Sequence, residues 1–203
     1  FSLTWNNKGV AMSYLSLLPA FERLPYRVVM VCTGNICRSA MAQIVLAQRL
    51  RELGVSEVEV SSAGVSNEEQ GNPIDYRAAR LLREQGYKGG DISTHRAAQI
   101  TDTQLRQADL LLAMTASHQR ELVRRAQKLG VDPGRVQLYR VYDPHCREQV
   151  EAALQGQGSL TGLNVPDPWY GDEDDFRDTL DVVERVSEVL AKNLAQLVEV
   201  QEP

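Results

Sequence analysis

Apolar residues follow two rhythms along this chain. Short unbroken apolar runs alternate with longer stretches in which they recur every three or four positions. Val28-Val29-Met30-Val31 is followed by Met41, Ile44, Val45 and Ala47. The first reads as a strand buried on both faces, the second as an amphipathic helix over 39–53 that Gly54 ends. A strand over 58–62 and a loop over 63–73 lead to a helix over 74–85, with Ile74, Ala78, Leu81 and Leu82 on its apolar side and Gly86 at its end. The stretch 91–97 runs into a short helical piece ending near Arg106. Next come a strand over 109–114, a helix over 116–129 with Leu122, Val123, Ala126 and Leu129 inward, and a strand over 136–139. A closing helix over 176–200 aligns Phe176, Leu180, Val183, Val186, Leu190, Leu194 and Leu197. Strands alternating with helices predict one α/β domain of three layers, a four-stranded parallel sheet with helices on both faces. No repeat and no linker divides it.

Composition narrows the class. The chain has 203 residues, enough for one domain with a sizeable core. A net charge of −5 gives no basic surface for nucleic acid. No stretch is apolar and long enough to span a bilayer. The three cysteines are too few for a disulfide scaffold, which points to a reducing compartment and a cytoplasmic location, with non-classical export left open. The first Met is Met12, so 1–25 reads as an N-terminal extension or an expression remnant before the domain proper over 26–203. Tyr14-Leu15-Ser16-Leu17-Leu18 lacks the charged flank and cleavage site of a signal peptide. Residues 18–26 are expected to pack on the domain edge. The Gly- and Gln-rich stretch 145–165 reads as a mobile loop, with His145 and Cys146 on the surface.

Two motifs carry chemistry. Cys32-Thr33-Gly34-Asn35-Ile36-Cys37-Arg38-Ser39 joins the first strand to the first helix. Gly34 and Asn35 tolerate left-handed backbone angles, so the turn can aim N–H groups at one point, beside the positive end of a helix that Ser39 opens. Such an environment lowers a thiol pKa from about 8.5 into the range of roughly 3.5 to 7.5, making Cys32 a nucleophile. Arg38 offers a planar fork suited to phosphate oxygens. The second motif, Asp167-Pro168-Trp169-Tyr170-Gly171, supplies a carboxylic acid on a rigid loop and two aromatics able to wall a cleft. Asp172-Glu173-Asp174-Asp175 reads as a helix-start charge cluster.

Cys32 to Ser39 resembles the phosphate loop of low-molecular-weight protein tyrosine phosphatases, with Ala40 where that family usually has Pro. Asp167 to Gly171 resembles its acid loop. The resemblance covers about 27–197. It implies a flavodoxin-like fold and metal-independent, cofactor-free hydrolysis of phosphotyrosine through a phosphocysteine on Cys32. Arg38 would clamp the phosphate, Asp167 act as general acid and then base, and Ser39 ease departure of the sulfur. Thr33, Gly34, Asn35, Ile36 and Cys37 would cradle the phosphate, Trp169 and Tyr170 wall the substrate, and Asn35, Ser62 and His95 hydrogen-bond beneath the loop. Implied partners are tyrosine-phosphorylated proteins or small aryl phosphates, with inorganic phosphate as product and inhibitor, acting on a monomer or weak homodimer. Cys37 would pair reversibly with Cys32 under oxidation.

Three departures stand out. Ser66-Asn67-Glu68-Glu69-Gln70 places acids at a cleft rim where relatives often carry an aromatic, which suggests substrates with basic neighbours. Thr115 replaces a common Asp, which suggests a missing contact. The stretch 145–165 is longer than usual. The same loop also occurs in arginine phosphatases, which typically have Thr where Ile36 stands and lack the paired aromatics. Arsenate reductases share it but need further cysteines after the second helix. A catalytically silent phosphotyrosine-binding module is a third alternative, opposed by retention of Cys32, Arg38 and Asp167.

Overall fold

The computed structural model describes residues 12–200. Strand β1 (Tyr26–Cys32) is buried almost throughout and leads, through the phosphate-loop sequence, into α1 (Arg38–Glu52). Then follow β2 (Val58–Gly64), α2 (Tyr76–Glu84), α3 (Gly89–Thr94), α4 (Asp102–Gln107), β3 (Leu110–Ala113), α5 (Ala116–Lys128), β4 (Val136–Leu138), α6 (Arg147–Leu154) and α7 (Glu173–Glu199). The four strands form one parallel sheet in the order β2-β1-β3-β4.

Alternation along the central strands divides the core. Val28, Met30, Cys32, Leu110 and Leu112 face a large cluster with α1, α2, α6 and α7. Val29, Val31, Leu111 and Ala113 face a smaller one with α4 and α5. A strand covered on both faces must be apolar at every position, which is why β1 and β3 read as unbroken runs. Because β1 continues into a helix on one face and β3 into a helix on the other, the chain parts at the C-terminal ends of these two neighbours. Such a parting opens a crevice.

Several expectations are corrected. The expected mobile loop over 145–165 contains α6, whose Val150 is buried, and a 3₁₀ turn over Pro144–Cys146. Cys146 is buried rather than on the surface; His145 is exposed. The short helical piece expected to end near Arg106 is α4; what the sequence did not show is α3, which takes up the start of the 91–97 stretch and is separated from α4 by a segment in which Gln99 bridges to Gly64 at the sheet edge. The helix expected from 74 begins at Tyr76, because the Asp75 side chain caps it by accepting from the Arg77 N–H. Of the N-terminal stretch, residues 1–11 lie outside the described residues. Met12, Leu18 and Phe21 are buried on the core, and the Phe21 ring meets Tyr26 edge-on at 5.1 Å.

Candidate active site

Cys32 is the last residue of β1 and Arg38 the first of α1, so strand end, turn and helix start converge on one point. Asn35 takes φ 61° and, among the described residues, is the non-glycine with positive φ. The left-handed position in the turn is therefore Asn35, while Gly34 lies against the Glu69 side chain. The side chain of Asn35 explains why the strained angle persists. Its Nδ2 donates to Ser39 Oγ at 2.9 Å and Ser62 Oγ at 2.8 Å, and its Oδ1 accepts from the Ala98 N–H at 3.1 Å. Its backbone carbonyl lies 2.8 Å from His95 Nε2, and since a carbonyl can only accept, that ring nitrogen carries the proton. Burial lowers the pKa of His95, consistent with a neutral ring. Gly64 at the end of β2 sits so close that a Cβ there would strike the Thr33 carbonyl, which lets the sheet edge reach under the loop.

The sulfur of Cys32 lies 3.3 Å from the Asn35 N–H and 3.0 Å from Ser39 Oγ. Ser39 Oγ accepts from Asn35, and its own proton faces the sulfur at 3.0 Å and the more distant Ala63 carbonyl at 3.4 Å. The N–H groups of Gly34, Ile36 and Cys37 have no partner among the described residues, leaving them available to an anion. Burial, then the charge of Asp75, pushes the Cys37 thiol up and keeps it protonated at neutral pH. All three cysteines are free thiols. Thr33 bonds from the loop to His118 Nε2 at 2.9 Å, and the other ring nitrogen lies 2.9 Å from Thr115 Oγ1. Burial, aided by the nearby Arg38, brings His118 down to about 4, so the ring is neutral. Thr115 caps α5 instead of leaving a gap, and its contact to the loop runs through His118. Neither His118 nor Gln43, which accepts from Ser62 Oγ at 2.5 Å, was singled out from the sequence. The Thr-x-x-His spacing at a helix start was the available signal for His118.

The acid loop closes the site from across the crevice. The Val165 N–H donates to the Met114 carbonyl beyond β3, and Thr179 of α7 donates to the Pro166 carbonyl. Asp167 then stands over the phosphate loop, accepting from Arg38 Nη2 at 2.7 Å and from the Trp169 N–H at 3.2 Å. A cleft of about 290 Å³ lies between the loops, lined by Cys32, Thr33, Gly34, Ile36, Cys37 and Arg38 below, Glu68 and Glu69 on one rim, and Asp167, Trp169 and Tyr170 on the other. Tyr170 is 94% exposed and Trp169 40%, so the two aromatics form a mouth rather than a floor. The acidic run beyond them starts α7 as expected, with Asp172 as N-cap and Asp175 completing a capping box.

The low molecular weight phosphotyrosine protein phosphatase family matches over residues 27–200. The chain belongs to that family. It is 40% identical over 178 residues to the low molecular weight protein-tyrosine phosphatase A of Mycobacterium tuberculosis, covering 83% of this chain and 96% of that one. To the human low molecular weight phosphotyrosine protein phosphatase it is 31% identical over 156 residues, 76% of this chain and 87% of the relative. Among solved structures, a low molecular weight phosphatase from T. tengcongensis superposes with TM-score 0.66 at 29% identity, covering 82% of this chain and 98% of that one. An arginine phosphatase from Geobacillus stearothermophilus superposes with TM-score 0.65 at 26% identity, covering 88% and 99%. Both kinds of phosphatase share the scaffold, so the site must discriminate between them. Among the described residues, no helix of this phosphatase is long and apolar enough to cross a membrane.

Proposed function

We propose that this phosphatase hydrolyses phosphotyrosine and related aryl phosphates through a phosphocysteine on Cys32. The reading rests on one observation: Cys32 and Asp167 line the same cleft, with Arg38 in it bonded to the Asp167 carboxylate. The sulfur attacks phosphorus while the free loop N–H groups and Arg38 hold the equatorial oxygens. An incoming phosphate competes with Asp167 for the Arg38 fork. Freed from Arg38, the Asp167 carboxyl gives a proton to the departing phenolate. Asp167 next takes a proton from the water that attacks phosphorus, and Ser39 supports the leaving sulfur. Trp169 and Tyr170 at the mouth suit a ring held away from the phosphate, which favours an aryl ester over phosphoarginine. Glu68 and Glu69 on the opposite rim favour basic residues near the phosphotyrosine.

A panel of phosphotyrosine, phosphoserine, phosphoarginine and arsenate tests the substrate class; phosphotyrosine should turn over fastest, and preference for phosphoarginine would reverse the reading. Cys32→Ser should abolish turnover with every substrate. Asp167→Ala should slow esters of poor leaving groups by about 10²- to 10⁴-fold and good ones far less.

A further inference from the structure

Asp167 can protonate a leaving oxygen only if its loop is held at a fixed height above Cys32. Its own carboxylate bonds reach the loop itself and Arg38, which a substrate also needs, so the height must be set elsewhere. Arg77, in the first turn of α2, reaches the acid loop from the side. Its Nη2 donates to the Trp169 carbonyl and its Nη1 to the Gly171 carbonyl, both at 3.3 Å. Its Nε and Nη2 also donate to the Asp75 carboxylate at 3.1 and 3.0 Å. Asp75 is buried at its side chain, and its backbone N–H donates to the Ile36 carbonyl inside the phosphate loop at 2.9 Å. The path therefore runs from the phosphate loop through Asp75 and Arg77 to the carbonyls on either side of Tyr170. The guanidinium carbon lies 4.4 Å from the Phe176 ring centroid and 5.8 Å from that of Trp169, so aromatic faces fix its plane.

A helix-start arginine that only balanced Asp75 would have no reason to spend its remaining donors on two carbonyls of another loop. We propose that Arg77, held by Asp75, is the positioning residue of the acid loop: it sets Asp167 and the Trp169 ring in register with the phosphate loop. The proposal rests on Asp167 being the proton donor. A planar fork is required, because one ammonium cannot hold a carboxylate and two separated carbonyls in one plane.

The test is steady-state kinetics of the full chain on aryl phosphates ranging from good to poor leaving groups. Arg77→Gln, Arg77→Lys and Asp167→Ala are compared with the parent, alongside inhibition by inorganic phosphate and thermal melts. Arg77→Gln should lower kcat for the poorest leaving group by about tenfold or more, since small misplacements of a catalytic group are costly, while the best stays within about threefold. Inhibition by phosphate should stay within about twofold, because the cup itself is untouched. Arg77→Lys should follow Arg77→Gln and keeps the test open if the latter does not fold. Equal losses across leaving groups, full activity of Arg77→Lys, or weakened phosphate inhibition would overturn the proposal. If Asp167→Ala loses rate uniformly, the acid assignment fails and Arg77 falls with it. If Asp167→Ala is selective and the Arg77 variants are not, only the role of Arg77 fails.

Discussion

Asn35 concentrates the site's geometry in one residue. Its left-handed angle turns the loop, its amide fixes Ser39 and Ser62, and its carbonyl fixes His95. Asn35→Gly keeps the angle and loses the side-chain bonds; Asn35→Ala loses those bonds and strains the angle, while the backbone carbonyl facing His95 is present in both. Each should cut kcat sharply, and Asn35→Ala should melt lower than Asn35→Gly, with a total cost of about 3 kcal/mol from unpaired buried groups and backbone strain. Kinetics and thermal melts check this. His118 makes a pH prediction. Its folded pKa of about 4 lies below the ordinary 6.5, so the unfolded chain binds the proton first as pH falls. Stability present above pH 6.5 is then lost progressively towards pH 4, on the order of 3 kcal/mol in all, with no further loss from this group below that. His95 is shifted in the same direction and adds to it. Denaturant midpoints should fall over this window, and His118→Asn should flatten the slope; an unchanged slope would remove His118 as the cause. Cys32 and Arg38 stood out by their spacing and Asp167 by the Pro and paired aromatics after it, and the structure puts all three on one cleft. His118 and Gln43 were not, because a buried polar residue becomes meaningful only once its partners are known.

Elements were read well where periodicity was strong and poorly where composition misled. The strands β1 and β3 were unmistakable because burial on both faces removes polar residues. Helix α6 was missed because Gly156, Gly158 and Gly162 weighed in the reading of 145–165, although they lie beyond it; Arg147-Glu-Gln-Val-Glu-Ala-Ala-Leu154 itself consists largely of good helix formers. Capping set the true starts of α2 and α7. Asp172→Ala should destabilise by about 1 kcal/mol, measured by urea unfolding, and loosen the loop that carries Asp167. Gly171 just before it is required for space, since a Cβ there would collide with the Asp175 carboxylate.

Across the whole molecule, the layers are tied by Asp143, fully buried between Arg140 and Arg185 of α7. Burial alone would raise its pKa; hydrogen bonds from Arg185, the His145 N–H and Arg140 outweigh this and bring it to about 2. Its stabilisation is present above about pH 4 and lost as pH falls through 2. Asp143→Ala leaves two partly buried arginines without their carboxylate and should cost about 3 kcal/mol by chemical denaturation. The sequence by itself determined the strand–loop–helix that holds Cys32 and Arg38, the alternation that makes a parallel sheet, and the Asp167 segment with its aromatic neighbours, because each is encoded in short-range spacing. Only the tertiary structure decided which carbonyls Arg77 reaches, that Thr115 acts through His118, and that Asp167 meets Arg38 across 129 positions of chain. Those contacts depend on how the chain parts to opposite faces beyond the C-terminal ends of β1 and β3, and no local pattern records the distance between residues so far apart along the chain.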